Sequence, residues 1–234
     1  MAADPRWVPS PAFIKAFEFA CSAHGNDARK INREPYIGHL MGVASLVIEH
    51  NGTQDQAIAA LLHDIIEDSP MTYEELEREF GPNVRKIVQA CTDATHAEKA
   101  AEKAKRKLSD EDQNDETKKA AAQSAYEKDW WHRKEGYLNR LKKKDHNDPS
   151  VLVALSDKVN NGEKTALDLA KSDDEGRKKF RESFNTGYEL QQKWYEGLVE
   201  AFAVALKDCK DPLVLRLQER FANAVKTMFS YNEK

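Results

Sequence analysis

The feature that most constrains this chain is an apolar segment, residues 57–66, that carries the adjacent pair His63 and Asp64. Thr53 and Gln56 precede it with the spacing of a capping box, which predicts that a helix begins there. Because the helix is apolar on every side, other helices must bury it. Burying Asp64 costs free energy unless a metal ion, an arginine or a lysine compensates its charge.

Helical spacing of apolar residues recurs along the rest of the chain, with capping signals at Ser10-Pro11 and Asp148-Pro149. We find no strand alternation, internal repeat or glycine-rich phosphate loop. The sequence therefore predicts an all-α fold, a single helical bundle of roughly ten helices over residues 1–234. Its core would comprise residues 10–93 and 130–230, with a charged helical insert over residues 95–129.

The insert is dominated by charge, since residues 98–119 contain seven basic and seven acidic side chains. Alanine and leucine are its only apolar residues. This pattern is typical of a solvated helix or a mobile segment, which is our expectation here. Covering a site and binding a partner remain alternatives.

Composition excludes several classes of protein. Lys and Arg total 36 against 40 Asp and Glu, so there is no basic excess for nucleic acid. The three cysteines are widely spaced and form no CxxC pair, which argues against a disulfide framework or a thiolate zinc site. No apolar run approaches the roughly 18 residues that a membrane span needs. We expect a soluble cytoplasmic protein, and a homo-oligomer stays open.

An adjacent His-Asp pair arises easily by chance, but carboxylates follow this one at helical spacing. Glu67 lies four residues after His63, and Asp68 four after Asp64. A continuing helix would project them on the same side as the pair, where they could orient and deprotonate a metal-bound water. The alternative is a solvated helix end, where carboxylates are slightly unfavourable.

Cations surround the irregular segment that precedes His39. They are a candidate nucleotide clamp, because arginine stacks on bases and both residue types neutralise phosphate. Ordinary surface charge is the alternative. The cluster comprises His24, Arg29, Lys30 and Arg33. The remaining histidines have no ligand partner at helical spacing and are interpreted as incidental: His50, His96, His132 and His146.

Three segments in this order, AHGNDARKINREPYIGH, AALLHDIIEDS and LSDKVNN, resemble the hydrolase domain of RelA/SpoT proteins. They look closest to the stand-alone small alarmone hydrolases. The resemblance covers residues 13–93 well and residues 130–205 more loosely. It implies an all-α fold of the HD type and removal of the 3′-pyrophosphate from guanosine tetra- and pentaphosphate, usually with manganese.

The resemblance also implies roles for single residues. The metal ligands would be His39, His63, Asp64 and Asp157. Glu67 and Asp68 would activate the water. Arg29 and Lys30 would hold the purine, and Asn161 would contact the sugar or phosphate. His24 and Lys158 are further candidates for substrate binding. Apart from the resemblance, Lys30, Lys134 or Lys193 could be phosphate partners. The sequence departs from the family where Ser69 replaces a threonine and Lys158 an arginine, which loses a bidentate phosphate donor.

The leading hypothesis is therefore a Mn²⁺-dependent 3′-pyrophosphohydrolase of alarmone nucleotides that releases a nucleoside 5′-phosphate, GDP or GTP, and pyrophosphate. The sequence does not distinguish guanine from adenine alarmones. One alternative is a phosphatase acting on the ribose phosphate of NADPH. Another is a catalytically silent nucleotide-sensing or antitoxin-like module, against which the intact Glu67 and Asp68 argue.

Overall fold

The computed structural model describes residues 7–29, 33–106 and 115–231. These residues form eleven helices, and the one β-bridge among them joins Ala28 to Pro35. The helices are α1 (Pro11–His24), α2 (Ile37–Glu49), α3 (Gln54–Leu62), α4 (Ile65–Asp68), α5 (Tyr73–Cys91), α6 (His96–Arg106), α7 (Glu116–Lys142), α8 (Pro149–Lys171), α9 (Asp174–Glu182), α10 (Tyr188–Ala205) and α11 (Pro212–Ser230). The predicted all-α fold is confirmed.

Local sequence signals set most helix starts. Each N-cap side chain accepts a backbone N–H that the first turn leaves unpaired. These bonds are Phe13 to Ser10, Gln56 to Thr53, Glu75 to Thr72 and Ser150 to Asp148. Within α5 the backbone leaves helical geometry at Gly81, with φ 87° and ψ 167°. Glycine accepts this positive φ readily, and the predicted stop at Gly81-Pro82 lies there.

Helix α8 is central because it contributes to both groups of buried apolar side chains. Val153 belongs to the group built from α1 to α5, whereas Leu155 and Val159 belong to the group built around α7, α10 and α11. The helix accordingly packs against α2, α3, α5, α10 and α11. Asp157, in its middle, therefore lies where the two groups meet.

The predicted helix over residues 57–66 is interrupted. Helix α3 ends at Leu62, and Asp64 has φ −95° and ψ −3°, close to the bridge region where many active-site residues lie. The carbonyl of Asp64 accepts the N–H groups of Glu67 at 3.0 Å and Asp68 at 2.9 Å. Both carboxylates therefore belong to a separate one-turn helix, α4, and not to the continuing helix that the sequence predicts.

The expected insert contains α6 and the first turns of α7, and residues 107–114 lie outside the described residues. The division of residues 1–234 into one core and one insert stays a prediction. Across the described residues, none of the helices combines the length and the apolar character that crossing a membrane requires.

Helix α8 offers a matched test of the core. We expect Leu155→Ala to destabilise the protein by about 2–5 kcal/mol, because Leu155 is fully buried and a cavity would remain. Leu167 is 47% exposed on the same helix, so Leu167→Ala should stay within about 0.5 kcal/mol of wild type. Urea unfolding measures both, and equal effects would contradict the central position of α8.

Candidate metal centre and nucleotide cavity

Three helical elements bring His39, His63 and Asp157 together. His39 lies in the first turn of α2, His63 follows α3, and Asp157 belongs to α8. The Asp157 Oδ1 atom lies 3.3 Å from His39 Nε2 and 3.5 Å from His63 Nε2. All three side chains are buried, and one ligand atom from each lies within 4.8 Å of the others. Ligands of one metal ion have this spacing.

A hydrogen bond at Nδ1 fixes the tautomer of each histidine. His39 Nδ1 lies 2.7 Å from Asn160 Oδ1, and His63 Nδ1 lies 2.8 Å from the Ala60 carbonyl. Both partners accept, so each Nδ1 carries the hydrogen and each Nε2 presents a lone pair. Neither buried Nε2 has a hydrogen-bond partner. In the neutral tautomer both Nε2 lone pairs are directed at the Asp157 carboxylate and require a cation there, so these residues fit a divalent metal.

The electrostatics of His63 agree with this conclusion. Burial lowers the pKa of His63, but the carboxylates of Asp64 and Asp157 outweigh burial and hold that pKa well above its usual value. The negative potential that favours a proton at Nε2 equally favours a metal cation there.

Asp64, the predicted fourth ligand, lies beside this cluster. Its Oδ2 atom is 3.1 Å from His63 Nε2 and 3.8 Å from His39 Nε2. The Tyr36 hydroxyl donates to the same oxygen at 2.6 Å. Burial raises the pKa of Asp64, yet His63 outweighs burial and that pKa falls below its usual range. Ligation by Asp64 stays a prediction, and Tyr36 orients its carboxylate.

Two side chains of α8 hold Asp157 in place. Asn161 donates to Asp157 Oδ1 and Lys158 to Oδ2, both at 2.6 Å. Burial lowers the pKa of Lys158, but Asp157 outweighs burial and raises it well above its usual value. Arg29 in turn donates from Nη1 to Asn161 Oδ1 at 3.0 Å. Lys158 therefore contacts the metal-site carboxylate directly, where the sequence predicts a phosphate partner.

Glu67 and Asp68 share a lysine from the charged insert. Lys99 Nζ lies 2.7 Å from Glu67 Oε2 and 2.9 Å from Asp68 Oδ1. The other Glu67 oxygen accepts the Asp93 N–H at 2.7 Å. Burial raises the pKa of Glu67, and Lys99 offsets part of that rise. A carboxylate with a raised pKa is suited to accept a proton near neutral pH.

A large cavity of about 860 Å³ opens beside Glu67 and Asp68. Its volume lies within the range of small-molecule sites. Basic side chains form one part of its wall: Arg29, His96, Lys99 and Lys103. Aromatic and apolar side chains form another part: Phe180, Phe184, Tyr195 and Met228. The lining thus combines basic and aromatic side chains with four carboxylates: Asp27, Glu67, Asp68 and Asp168.

A smaller cavity of about 120 Å³ lies against the metal cluster, and Asp64, Asp157 and Lys134 are among its lining residues. Lys134 Nζ lies 2.6 Å from Asp93 Oδ2 and 4.5 Å from the ring centre of Trp194. Burial lowers the pKa of Lys134 although Asp93 opposes this effect. A partly buried lysine beside the candidate metal cluster is suitably placed for a phosphoryl oxygen.

Other predicted substrate residues lie elsewhere. His24 is buried, with Nδ1 3.0 Å from Asp27 Oδ2 and its ring 5.2 Å from that of Tyr36. Lys193 Nζ lies 3.7 Å from the ring centre of Trp131. Neither residue is among those lining the two cavities. Lys30 lies outside the described residues. These three roles stay predictions.

Sequence reasoning missed the contribution of α6. The sequence pattern predicts an incidental role for His96 and a solvated segment around it, yet His96, Lys99 and Lys103 all line the large cavity. Their spacing of three and four residues places them on one face of a helix. This basic helix face was a sequence signal for a role of α6. The neighbouring residues, however, did not show which part of the fold the face would contact.

Tyr36 provides a test of the metal centre that does not depend on turnover. Tyr36→Phe removes the hydroxyl that orients Asp64, so we expect divalent metal affinity to fall by roughly 10- to 100-fold, the usual effect of losing such a partner. Calorimetric titration with Mn²⁺ measures it. Tyr231→Phe, at the end of α11, should bind metal as wild type does. Unchanged affinity in Tyr36→Phe would contradict the orienting role.

The chain is similar to known proteins in sequence and in fold. The chain is 43% identical over 83 residues to guanosine-3′,5′-bis(diphosphate) 3′-pyrophosphohydrolase MESH1 of Xenopus tropicalis, covering 34% of this chain and 46% of that protein. It is 45% identical over 78 residues to guanosine-3′,5′-bis(diphosphate) 3′-pyrophosphohydrolase of Aquifex aeolicus, covering 33% of this chain and 11% of that protein. The matches thus span about half, or much less, of these relatives.

A solved structure described as "A metazoan ortholog of SpoT hydrolyzes ppGpp and plays a role in starvation responses" has the same fold. Its TM-score is 0.60 at 22% identity, covering 93% of this chain and 97% of that one. The family model described as HD domain matches residues 16–183, which is well over half of the sequence. The chain therefore belongs to the HD-domain family.

Proposed function

We propose that this protein is a metal-dependent phosphohydrolase that removes the 3′-pyrophosphate of alarmone nucleotides, producing GDP or GTP and pyrophosphate. The observation that carries the proposal is the pair of partnerless His39 and His63 Nε2 atoms facing Asp157. Glu67 and Asp68 border the adjacent cavity. The names of the MESH1 and Aquifex relatives support the same activity.

The metal would be held by His39, His63, Asp64 and Asp157. Mn²⁺ is our proposal because carboxylate oxygens suit it and because the resemblance to RelA/SpoT hydrolases implies manganese. Such an ion polarises a scissile phosphate and lowers the pKa of a bound water. We extend the proposal to action in the cytoplasm, which the three free cysteines support.

Glu67 would accept the proton of the attacking water. Its raised pKa, caused by burial, brings proton acceptance closer to neutral pH. The Asp93 N–H holds one Glu67 oxygen and Lys99 holds the other, so the carboxylate is fixed in orientation. Asp68 shares Lys99 and would assist in the same step.

The basic wall of the large cavity would neutralise the substrate phosphates. Arg29, Lys99 and Lys103 line the cavity and bring cations from two distant parts of the chain, and His96 lines it with them. The aromatic wall would contact the base. In the smaller cavity, Lys134 would contact the phosphoryl group nearest the metal.

The NADPH alternative also has an observation in its favour, since about 860 Å³ is roomy for a mononucleotide. Assays with guanosine tetraphosphate, its adenosine analogue and NADPH separate the two activities. Alarmone hydrolysis releases pyrophosphate, whereas NADPH hydrolysis releases orthophosphate. Release of neither ion with Mn²⁺ present would reject both activities and favour the silent binding module.

The catalytic carboxylates are tested by combining Glu67→Gln with Asp68→Asn. We expect kcat to fall by at least about 100-fold, because no group remains to take the proton. Calorimetry should still show metal binding, since neither side chain is among the predicted ligands. Glu77→Gln, a half-exposed carboxylate on α5, is the matched control and should retain activity. Wild-type turnover in the double variant would contradict the assignment.

Lys99 gives a prediction for the pH profile. Its ammonium group lowers the pKa of Glu67, so Lys99→Met should raise that pKa further. Glu67 then stays protonated up to a higher pH, and the acid limb of the kcat/KM profile should move upwards. Lys128→Met, at an exposed position of α7, should leave the limb in place. A shift to lower pH would contradict the pairing.

A further inference from the structure

Helices α2 and α8 carry His39 and Asp157, and the two helices pack against each other. Gly42 lies three residues after His39, and Asn160 lies three residues after Asp157. Such a spacing keeps each pair on one side of its helix. The Asn160 side chain reaches from α8 to α2, where His39 Nδ1 donates to its Oδ1 atom at 2.7 Å. Gly42 belongs to the same contact, because its Cα faces the Asn160 amide.

The Asn160 amide occupies the space that a side chain at position 42 would fill. A Cβ atom built on Gly42 would overlap Asn160 Nδ2 and would lie 3.3 Å from Asn160 Cγ. The three atoms nearest to that Cβ position all belong to the Asn160 side chain. Nδ2 and Oδ1 are parts of one planar amide group, and Oδ1 accepts from His39. A Cβ atom that displaces Nδ2 therefore also displaces Oδ1 from His39.

Two other glycines in these helices have different surroundings. Gly38 also lies in α2, but a Cβ atom there would have no described residue within 4 Å. Gly162 lies in α8, where a Cβ atom would approach the apolar side chains of Ala224 and Phe221 at 3.2 and 3.7 Å. Glycine is unfavourable in a helix interior relative to alanine. At Gly42 the group that needs the space is a polar side chain bound to a candidate metal ligand.

The hydrogen bond between His39 and Asn160 decides which nitrogen of His39 can face a metal ion. Asp157 Oδ1 lies 3.3 Å from His39 Nε2 and would also accept a hydrogen. In the neutral ring, a hydrogen on Nε2 would leave no lone pair there for a metal ion. An acceptor at Nδ1 keeps the hydrogen on the opposite side of the ring, as partners of metal-bound histidines generally do. Asn160 is this acceptor.

We propose that Gly42 is a positioning residue of the metal centre. By leaving space for the Asn160 amide, it lets this amide hold the His39 ring with the Nε2 lone pair towards Asp157. The glycine acts on His39 only through Asn160. The inference rests on the metal dependence in the proposed function, but it does not depend on which nucleotide is the substrate.

Calorimetric titration of the whole chain with Mn²⁺ tests this role without an assay of turnover. Gly42→Ala should weaken Mn²⁺ binding by roughly 10- to 100-fold, the usual effect of losing a partner of a metal-bound histidine. Gly38→Ala is the matched control, because it makes the same change on the same helix where the Cβ atom has room. It should bind Mn²⁺ as wild type does. Equal affinities of wild type and Gly42→Ala would overturn the inference.

Changes at Asn160 separate positioning of His39 from packing of the helices. Asn160→Ala removes the acceptor and should weaken Mn²⁺ binding as Gly42→Ala does. Asn160→Asp keeps an acceptor for His39 Nδ1 and should retain wild-type affinity. Adding Gly42→Ala to Asn160→Ala should cause no further loss, because the new Cβ atom then has space and no amide remains to be displaced. Additive losses would show that Gly42 does not act through Asn160.

Thermal unfolding of the metal-free variants covers the case in which Gly42→Ala alone does not fold. The combined Gly42→Ala and Asn160→Ala variant should then fold, because the amide that conflicts with the Cβ atom is absent. Its Mn²⁺ affinity should equal that of Asn160→Ala. If the combined variant also failed to fold, the helix backbones and not Asn160 would need the glycine, which would refute the proposed role.

Absence of Mn²⁺ binding by wild type would instead reject the proposed metal dependence. NMR of the histidine ring nitrogens at alkaline pH, where imidazole is neutral, then decides the inference separately. In wild type and Gly38→Ala the His39 hydrogen should lie on Nδ1, whereas in Gly42→Ala part of the population should carry it on Nε2. The same distribution in all three proteins would contradict the role of Gly42.

Discussion

The buried Asp157 carboxylate and the partly buried Asp64 carboxylate face the Nε2 atoms of His39 and His63, and the charge of these carboxylates requires a cation among them. The fold supplies the side chains that would hold this cation and the groups that orient those side chains. Asn160 and the Ala60 carbonyl fix the imidazole tautomers, while other side chains orient the carboxylates. Because the candidate ligands come from separate helical elements, packing of those elements also assembles the candidate site.

Much of this arrangement was predictable because it depends on local signals. Caps at Thr53 and Asp148 fix where α3 and α8 begin, and an apolar helix ending in His63 and Asp64 must be buried somewhere. The ordered resemblance to RelA/SpoT proteins then added His39 and Asp157. These are properties of short stretches of sequence, and neighbouring residues largely determine them.

What the sequence did not reveal depends on distant contacts. The interruption at Asp64 requires its backbone to leave ideal helical geometry, which helix propensity alone does not predict. Lys99 was one charge among many in the insert, and only the three-dimensional fold brings its ammonium group to Glu67 and Asp68. Tyr36 likewise meets Asp64 across 28 positions of sequence. The charge composition of a segment describes the surface of that segment, but it does not identify which other part of the fold the segment contacts.

Lys99 connects two features that the sequence pattern does not connect: the carboxylate pair and the cavity proposed to bind phosphates. It pairs with Glu67 and Asp68, and it also lines the cavity in which substrate phosphates would bind. An anionic ligand therefore competes with these carboxylates for the same positive charge. If Lys99 turned towards phosphate, its stabilisation of ionised Glu67 would weaken and the affinity of Glu67 for a proton would rise. Binding of a polyphosphate and the basicity of Glu67 would then be coupled through one side chain of the charged insert.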